Sequence, residues 1–320
     1  MRKKRSRGTG LVVLVWINLA ALAAIYVGGH FIAEKSSLTT LVAYVPQPVY
    51  LVPTAALFLG LVLNRRLKAL LILGVPTGCL SMLLLGFQLP NRSVKPPRNE
   101  LTVLTFNIHH APSGWQEVAD LIREQKPDIA CLQETDRLAR GGRVTQPLEG
   151  YELAERGSLS IYSRFPIKDV EVVPLSPAAL PAVSVATGGV RVVNAHLASF
   201  PNQARDVTRW RSWPRTFATM ARIHRREVEQ LIRHDETQPP PTIVCGDFNG
   251  PPRGEVYGLM RSRFADSFEV SGTGLGFTFP SVLPVQRIDY VFARDLQPLE
   301  AKVIRTTISD HRPLLARLRR

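Results

Sequence analysis

Cysteine is scarce, with three residues in a chain of 320, so no disulfide framework can hold this protein together. Cys131 and Cys245 fall inside apolar strand-like patterns and Cys79 inside a long apolar run, which reads as buried free thiols. A Cys131–Cys245 bridge stays open at this level, because sequence carries no geometry. Acidic residues are scarcer still at the N-terminus. Residues 1–98 hold Glu34 alone against 12 Lys and Arg, a local charge of +11, whereas residues 99–320 carry only +3. The whole-chain charge of +14 therefore describes neither part, and it is poor grounds for a nucleic-acid binder. Disorder is excluded by 45% hydrophobic and 21% charged residues.

The basic N-terminal part also has three runs without a charged side chain, Leu11–Ala33, Leu41–Leu63 and Ala69–Leu89. A helix needs about 20 apolar residues to cross roughly 30 Å of hydrocarbon, so each run is long enough. Residues 1–90 thus read as a membrane anchor of about three spans, 11–33, 41–63 and 69–89. The second run is the weakest, because Pro46, Pro48 and Pro53 each remove a helical N–H; a re-entrant segment is the competing reading. Ala21-Leu22-Ala23 resembles a signal-peptide cleavage site, but apolar sequence continues to Ala33, which favours an uncleaved anchor. Arg2, Lys3, Lys4, Arg5, Arg7, Arg65, Arg66 and Lys68 outnumber Lys35, Arg92, Lys95 and Arg98 on the opposite side. The positive-inside rule then puts the C-terminal part outside the cytoplasm, as an integral membrane protein. A polar linker over residues 91–99 with Pro96 and Pro97 keeps that part close to the bilayer.

From residue 100 to 320 the pattern becomes that of a separate α/β domain. Strands are predicted at 101–106, 128–133, 158–163, 190–196, 242–246, 288–292 and 314–318, with helices at 115–125 and 217–232. Several strands follow one another without an intervening helix, which favours mixed sheets. Polar residues gather at the strand ends: Asn107, Gln133-Glu134, Asn194-Ala-His196, Gly246-Asp-Phe-Asn249, Arg287-Ile-Asp289 and Ser309-Asp-His311. Carboxylates and carboxamides without cysteine suit a hard cation such as Mg²⁺, with Mn²⁺ as a substitute. Histidines beside carboxylates suit proton transfer or contact with phosphate.

Seven segments stand in a telling order: Leu104-Thr-Phe-Asn-Ile108, Leu132-Gln-Glu134, Ser163-Arg-Phe-Pro166, Asn194-Ala-His-Leu197, Gly246-Asp-Phe-Asn249, Arg287-Ile-Asp-Tyr290 and Ser309-Asp-His-Arg-Pro-Leu314. This series resembles the endonuclease/exonuclease/phosphatase superfamily, which includes pancreatic-type deoxyribonucleases, apurinic-site endonucleases, neutral sphingomyelinases and inositol-polyphosphate 5-phosphatases. The resemblance covers the whole soluble part. It implies a four-layer α/β/β/α sandwich of two packed mixed sheets, with the site at one edge. It further implies Glu134 as principal Mg²⁺ ligand, Asn107 as the residue placing metal and water, and Asp310 as a second metal-side carboxylate. Asp247 would orient or deprotonate water, Asn249 would hold a phosphate oxygen, and His196 would donate to a phosphate oxygen. His311, oriented by Asp289, would donate likewise or transfer a proton. The implied reaction is in-line attack of water on a phosphate ester. A catalytically silent scaffold domain is the rival reading, disfavoured because none of these positions is replaced.

The substrate is less legible. His109 and His110 either line the mouth of the site or are ordinary loop residues. Arg209, Trp210 and Trp213 belong to a segment, 205–226, with seven arginines and the single acid Asp206. Guanidinium and indole together suit a substrate rim on nucleic acid or a bilayer interface, or simply a solvated helix face with two packed tryptophans. The stretch Leu283-Pro-Val-Gln-Arg-Ile-Asp-Tyr290 lacks the Pro-Xaa-Trp-Cys-Asp-Arg pattern of the 5-phosphatases, which lowers inositol phosphates. Nucleic acid, phospholipid of the sphingomyelin type and small sugar phosphates remain open, as does the oligomeric state.

Overall fold

The protein is described here by a computed structural model covering residues 2–89, 99–136, 144–176, 180–200 and 207–320, with backbone only at 2–8 and 207–209. Most of the linker and the side chain of Arg209 lie outside the described residues.

Two six-stranded mixed sheets form the centre of the C-terminal part. The first contains β1 (Glu100–Asn107), β2 (Ile129–Gln133), β3 (Glu152–Arg156), β4 (Leu159–Ser163), β11 (Gln297–Val303) and β12 (Leu314–Arg319). Their order is β11-β12-β1-β2-β4-β3. The second contains β5 (Ile167–Val173), β6 (Ala182–Thr187), β7 (Val190–His196), β8 (Thr242–Asp247), β9 (Ala265–Asp266) and β10 (Asp289–Arg294), ordered β5-β6-β7-β8-β10-β9. Each sheet has one parallel pair at its centre, β1 with β2 and β7 with β8, and antiparallel pairs outside it. The sheets thus repeat one plan, with β1 corresponding to β8 and β2 to β7.

Period-two alternation decides which side chain faces which layer. Val103, Cys131, Ile161, Val192, Cys245 and Val291 point between the sheets and form the central core. Their neighbours Leu104, Phe106 and Leu132 point outward against Val118 and Ile122 of helix α5 (Trp115–Gln125). On the opposite side Val193, Val244 and Phe292 meet Val228 and Leu231 of α6 (Trp213–Glu236) and Met260 of α7 (Gly254–Arg263). Helices covering two packed sheets give the expected α/β/β/α sandwich. Each such aliphatic side chain, fully buried, contributes about 1.5–3 kcal/mol. A short helix α8 (Ser267–Ser271), capped by Asp266, closes one end.

The predicted bounds of β7 and α5 coincide with the observed ones, and β2, β4 and β10 begin one residue later. β1, β8, β10, β12 and α6 run one to four residues further, and β3, β5, β6, β9, β11, α7 and α8 are added. The two inter-sheet cysteines are free and buried, and burial first, then the neighbouring Cys245 thiol, pushes Cys131 well up from its ordinary value.

Among the described residues, four α-helices precede the domain: α1 (Arg2–Val27), α2 (Ser37–Tyr44), α3 (Val52–Leu63) and α4 (Leu67–Leu85). Two segments, Thr9–Ile32 and Leu67–Leu85, are long and apolar enough to cross a membrane. The middle run is broken: Ser37–Tyr44 and Gln47–Leu63 meet at an angle of 91°. Pro46 and Pro48 stand at this corner, where neither offers an N–H to continue the helix. Helix α2 starts with a Ser36–Thr39 capping box and ends at Val45 in an extended conformation. Val15, Leu61 and Leu73 form the small core of an α1–α3–α4 bundle, which the Asn18–Thr54 hydrogen bond of 2.8 Å reinforces.

Helix α2 leaves this bundle and packs on the catalytic-type domain. Ala33, Ala43 and Tyr44 form one apolar cluster with Ala221, Phe200 and Phe217. Three polar contacts secure it. The Glu255 N–H donates to Glu34 Oε2 at 2.5 Å, Arg253 donates to the Ala43 carbonyl at 3.5 Å, and Gln286 donates to the Tyr44 carbonyl at 3.2 Å. At the end of α4, Gln88 bridges to Gly274.

Candidate active site

The C-terminal ends of β1, β2, β7 and β8 meet at one edge of the sandwich, and each delivers a polar side chain there. Asn107 ends β1, Glu134 follows β2, His196 ends β7 and Asp247 ends β8. Strand register places Asp247 opposite Asp289 on one side and His196 on the other. The corresponding strands of the two sheets thus present their terminal residues to each other across the seam.

Hydrogen bonds fix this geometry. The Asn107 amide donates to Glu134 Oε1 at 2.9 Å and to Asp247 Oδ2 at 3.1 Å, while its own oxygen accepts the His109 N–H. Asn107, foreseen as a residue placing the metal, is thereby engaged in orienting two carboxylates. The Asn249 N–H donates to Asp247 Oδ1 at 2.9 Å, and the Asn249 amide donates to the Leu197 carbonyl. His196 Nε2 lies 3.7 Å from Asp247 and 3.9 Å from Glu134.

His311 is buried. Its Nδ1 stands 2.9 Å from Asp289 Oδ2 and its Nε2 stands 3.6 Å from Asp247 Oδ2. Burial works against a charged ring, but the carboxylates of Asp289 and Asp247 outweigh it and hold His311 up to about 10. Burial also acts most strongly on Asp247; with Asp289 nearby it raises this carboxyl above the ordinary aspartate range despite His311 and His196.

Two carboxylates converge on His109 Nδ1, Glu134 at 3.5 Å and Asp310 at 3.6 Å. Both are partly exposed in the cleft, at 22% and 38%, and carboxylate oxygens there suit a hard divalent cation. Among the described residues, Asp247, Asp289 and His311 have potential ligand atoms that all lie within 4.8 Å of one another. There Asp289 and Asp247 outweigh burial and favour the charged ring of His311, whose nitrogens then present N–H groups, so this trio fits a hydrogen-bonded relay better than a chelate.

The local backbone is unusual where these groups meet. His109, His110 and Ala111 all have left-handed φ, as do Glu134 and Asn249. Such conformations cost about 1 kcal/mol or more each and collect at functional sites. His110 is held by its N–H to the Glu134 carbonyl at 3.0 Å and by Nε2 lying 3.2 Å from Glu134 Oε2. Gly246 is required by close approach: at φ +139° an added Cβ would lie 1.8 Å from the Ala195 carbonyl oxygen.

The site residues line a cleft of about 360 Å³ whose walls include His109, Glu134, His196, Asp247, Asn249, Asp310 and His311. Trp210 and Trp213 are not among its lining residues. Trp210 is exposed, with Arg211 over its ring, and Trp213 opens α6. Aromatic walls come instead from Tyr44, Phe200, Phe217 and Phe279, residues that sequence reading did not associate with the site. A larger cleft of about 520 Å³ lies beside the β6–β7 turn and Pro239–Pro241, at the opposite ends of the same strands, and lacks such a convergence of carboxylates and imidazoles.

Four residues to which the sequence assigned no role support the site, and of these Glu227 alone was not marked as a polar strand-end residue. Ser309 donates to the Asn107 carbonyl at 2.8 Å and accepts the His311 N–H. Gln133 donates to Asn194 across the sheets at 2.7 Å, and Asn194 donates to the Leu132 and Ser160 carbonyls. Glu227 anchors the loop after His196 by accepting the Ala198 N–H, with burial first raising its carboxyl.

Comparison with known proteins agrees with this architecture. The model of the endonuclease/exonuclease/phosphatase family matches residues 104–311, and the chain belongs to that family. An endonuclease/exonuclease/phosphatase from Bacteroides vulgatus is similar at 17% identity and a TM-score of 0.51, covering 69% of this chain and 99% of its own. An AP endonuclease from Archaeoglobus fulgidus is similar at 19% identity and a TM-score of 0.51, covering 68% and 98%. A mannosyl-6-phosphatase from Bacteroides thetaiotaomicron is similar at 18% identity and a TM-score of 0.50, covering 68% and 99%. No curated relative matches the chain. The family hydrolyses phosphate esters with the help of a metal.

Proposed function

We propose that this protein is a membrane-anchored, Mg²⁺-dependent phosphoesterase. The observation that carries this reading is the meeting of Glu134, His196, Asp247, Asn249, Asp289, Asp310 and His311, from strand ends of both sheets, in one cleft.

A cation of the magnesium type, held by Glu134 and Asp310 with Asn107 orienting Glu134, would supply positive charge to the phosphate and leaving oxygens. The protein's own groups divide the rest. Asp247, buried and held by Asn107 and Asn249, orients the attacking water and takes its proton as the new P–O bond forms; its raised pKa suits a base. His311 and His196 offer N–H groups to the non-bridging oxygens, which carry negative charge through the transition state, while the electron pair of the breaking ester P–O bond passes to the leaving oxygen. Asp289 fixes the tautomer and charge of His311. Asn249 offers its amide to a phosphate oxygen.

Anchoring is supported by Thr9–Ile32 and Leu67–Leu85. Between them the five 3₁₀ and twelve α-helical residues of Gln47–Leu63 rise roughly 28 Å, close to the hydrocarbon thickness. In this arrangement the turn at Arg65 and Arg66 faces the cytoplasm and the catalytic domain lies outside. Protection of residues 99–320 from protease in spheroplasts would overturn that orientation.

The deciding experiment is hydrolysis of bis(4-nitrophenyl) phosphate by the full chain in detergent micelles, with Mg²⁺ and with chelator. Activity should require Mg²⁺ and should be lost in His311→Ala. Equal activity in that variant would show that the site lies elsewhere.

A further inference from the structure

The cleft has two chemically different halves. Its floor is the array of carboxylates and imidazoles, and its wall is Tyr44, Pro46, Phe200, Phe217, Phe279 and Ile288. Tyr44 and Pro46 do not belong to the catalytic fold. They come from α2 and the proline corner that follows it, so the N-terminal segment completes the wall of the catalytic cleft.

We propose that the substrate is a phosphate ester carried on an apolar chain and drawn from the bilayer, with the α2 corner guiding that chain into the cleft. This rests on the phosphoesterase reading above and names its substrate class. Tyr44, Phe200 and Phe217 form one aromatic cluster, with ring centroids 5.7 Å, 6.1 Å and 4.9 Å apart. Directly after Pro46 the chain turns by 91° into Gln47–Leu63, the segment read above as the middle membrane crossing. The apolar wall is therefore continuous in the chain with a membrane helix, and the Glu34, Arg253 and Gln286 contacts keep it in place. Between the wall residue Phe279 and the latch residue Gln286, Val282 and Leu283 are 79% and 72% exposed. Exposed apolar residues on such a loop suit insertion at a lipid interface.

Charge argues in the same direction. A polynucleotide is held by several lysines and arginines along its phosphates. No lysine or arginine is among the described residues that line the cleft. The floor can engage one phosphate group, while the wall offers aromatic and aliphatic surface where a second and third phosphate would need cations.

The experiment compares hexadecyl 4-nitrophenyl phosphate with ethyl 4-nitrophenyl phosphate, using the full chain in phosphatidylcholine nanodiscs with Mg²⁺ and following nitrophenolate. The hexadecyl ester should show at least a tenfold higher kcat/KM. In Phe217→Asn that ratio should fall toward one, while in Phe217→Leu, which keeps apolar surface, it should persist. The ratio is internal to each variant, so partial loss of folded protein cancels. Equal kcat/KM for both esters in the wild type would overturn the substrate class and leave the phosphoesterase reading standing. Faster cleavage of a single-stranded oligonucleotide than of the hexadecyl ester would overturn it in favour of a nuclease. Cleavage of none of the three would overturn both readings.

Discussion

His311 turns its Nδ1 to Asp289 at 2.9 Å while its Nε2 stands 3.6 Å from Asp247, so one buried ring connects two strands of the second sheet. The ring comes from the loop before β12 and its partner from the start of β10. Asp289→Asn should lower hydrolysis by about a hundred- to ten-thousandfold. In the metal-free protein, NMR titration of His311 should move from about 10 toward the ordinary histidine range. The sign for stability follows from a native pKa raised above the usual 6.5. The pair's contribution is complete below pH 6.5 and is lost as pH rises through about 10. An unchanged titration in Asp289→Asn would mean that Asp289 does not set the charge of the ring.

Glu134 is oriented by the Asn107 amide and shares His109 with Asp310. Glu134→Gln should weaken Mn²⁺ binding at least tenfold, read from the free-Mn²⁺ signal in electron paramagnetic resonance. Asn107→Leu should weaken it as well, by freeing the Glu134 side chain. Retained affinity in Glu134→Gln would move the metal to the Asp247–Asp289–His311 trio.

Glu34 gives the latch a pH dependence. Burial is the main reason its carboxyl is raised from 4.5 to about 7. A raised acid binds more protons in the docked state, so docking is strongest below pH 4.5 and weakens as pH rises through about 7. Amide exchange over residues 37–44, corrected for intrinsic rates, should accelerate across that window. In Glu34→Gln the acceleration should disappear; its persistence would assign the effect to another group.

The Gln133–Asn194 bond spans the two sheets at 2.7 Å with both side chains buried. Asn194→Leu removes the Asn194 acceptor from a Gln133 amide that still reaches Thr105 and Cys131. It also takes a donor from the Leu132 and Ser160 carbonyls, and should cost about 1–3 kcal/mol in all. Urea denaturation of the single and double variants should give a coupling energy above about 0.5 kcal/mol. Additive effects would show that the bond does not join the sheets energetically.

The strands that carry the site were readable because they are central: β1, β2, β7 and β8 are apolar on both faces and end in polar residues. Edge strands were harder. β5 is mostly exposed and carries Lys168, Asp169 and Glu171, while β11 contains Pro298 at a register shift. Neither shows a clean period of two, because a register shift interrupts each, between Lys168 and Glu171 in β5 and between Pro298 and Glu300 in β11. The α7 helix was hidden for a different reason, having just Val256 and Met260 buried. Helix α2 was misleading in another way. Its apolar composition records that it is covered, but composition does not say whether lipid or protein does the covering. Tyr44 meets Phe200 and Phe217 through contacts more than 150 positions distant in sequence, which no local pattern encodes.

The repeated plan of the two sheets gives the site a pseudo-twofold character. Asn107 and Asp247 are counterparts and touch at 3.1 Å; Glu134 and His196 are counterparts 3.9 Å apart. Neither half owns a complete reaction centre. A slip of one sheet past the other by a single residue would separate Asn107 from Asp247, Glu134 from His196 and His311 from Asp289 at once, so turnover serves as a reporter of correct interlayer alignment.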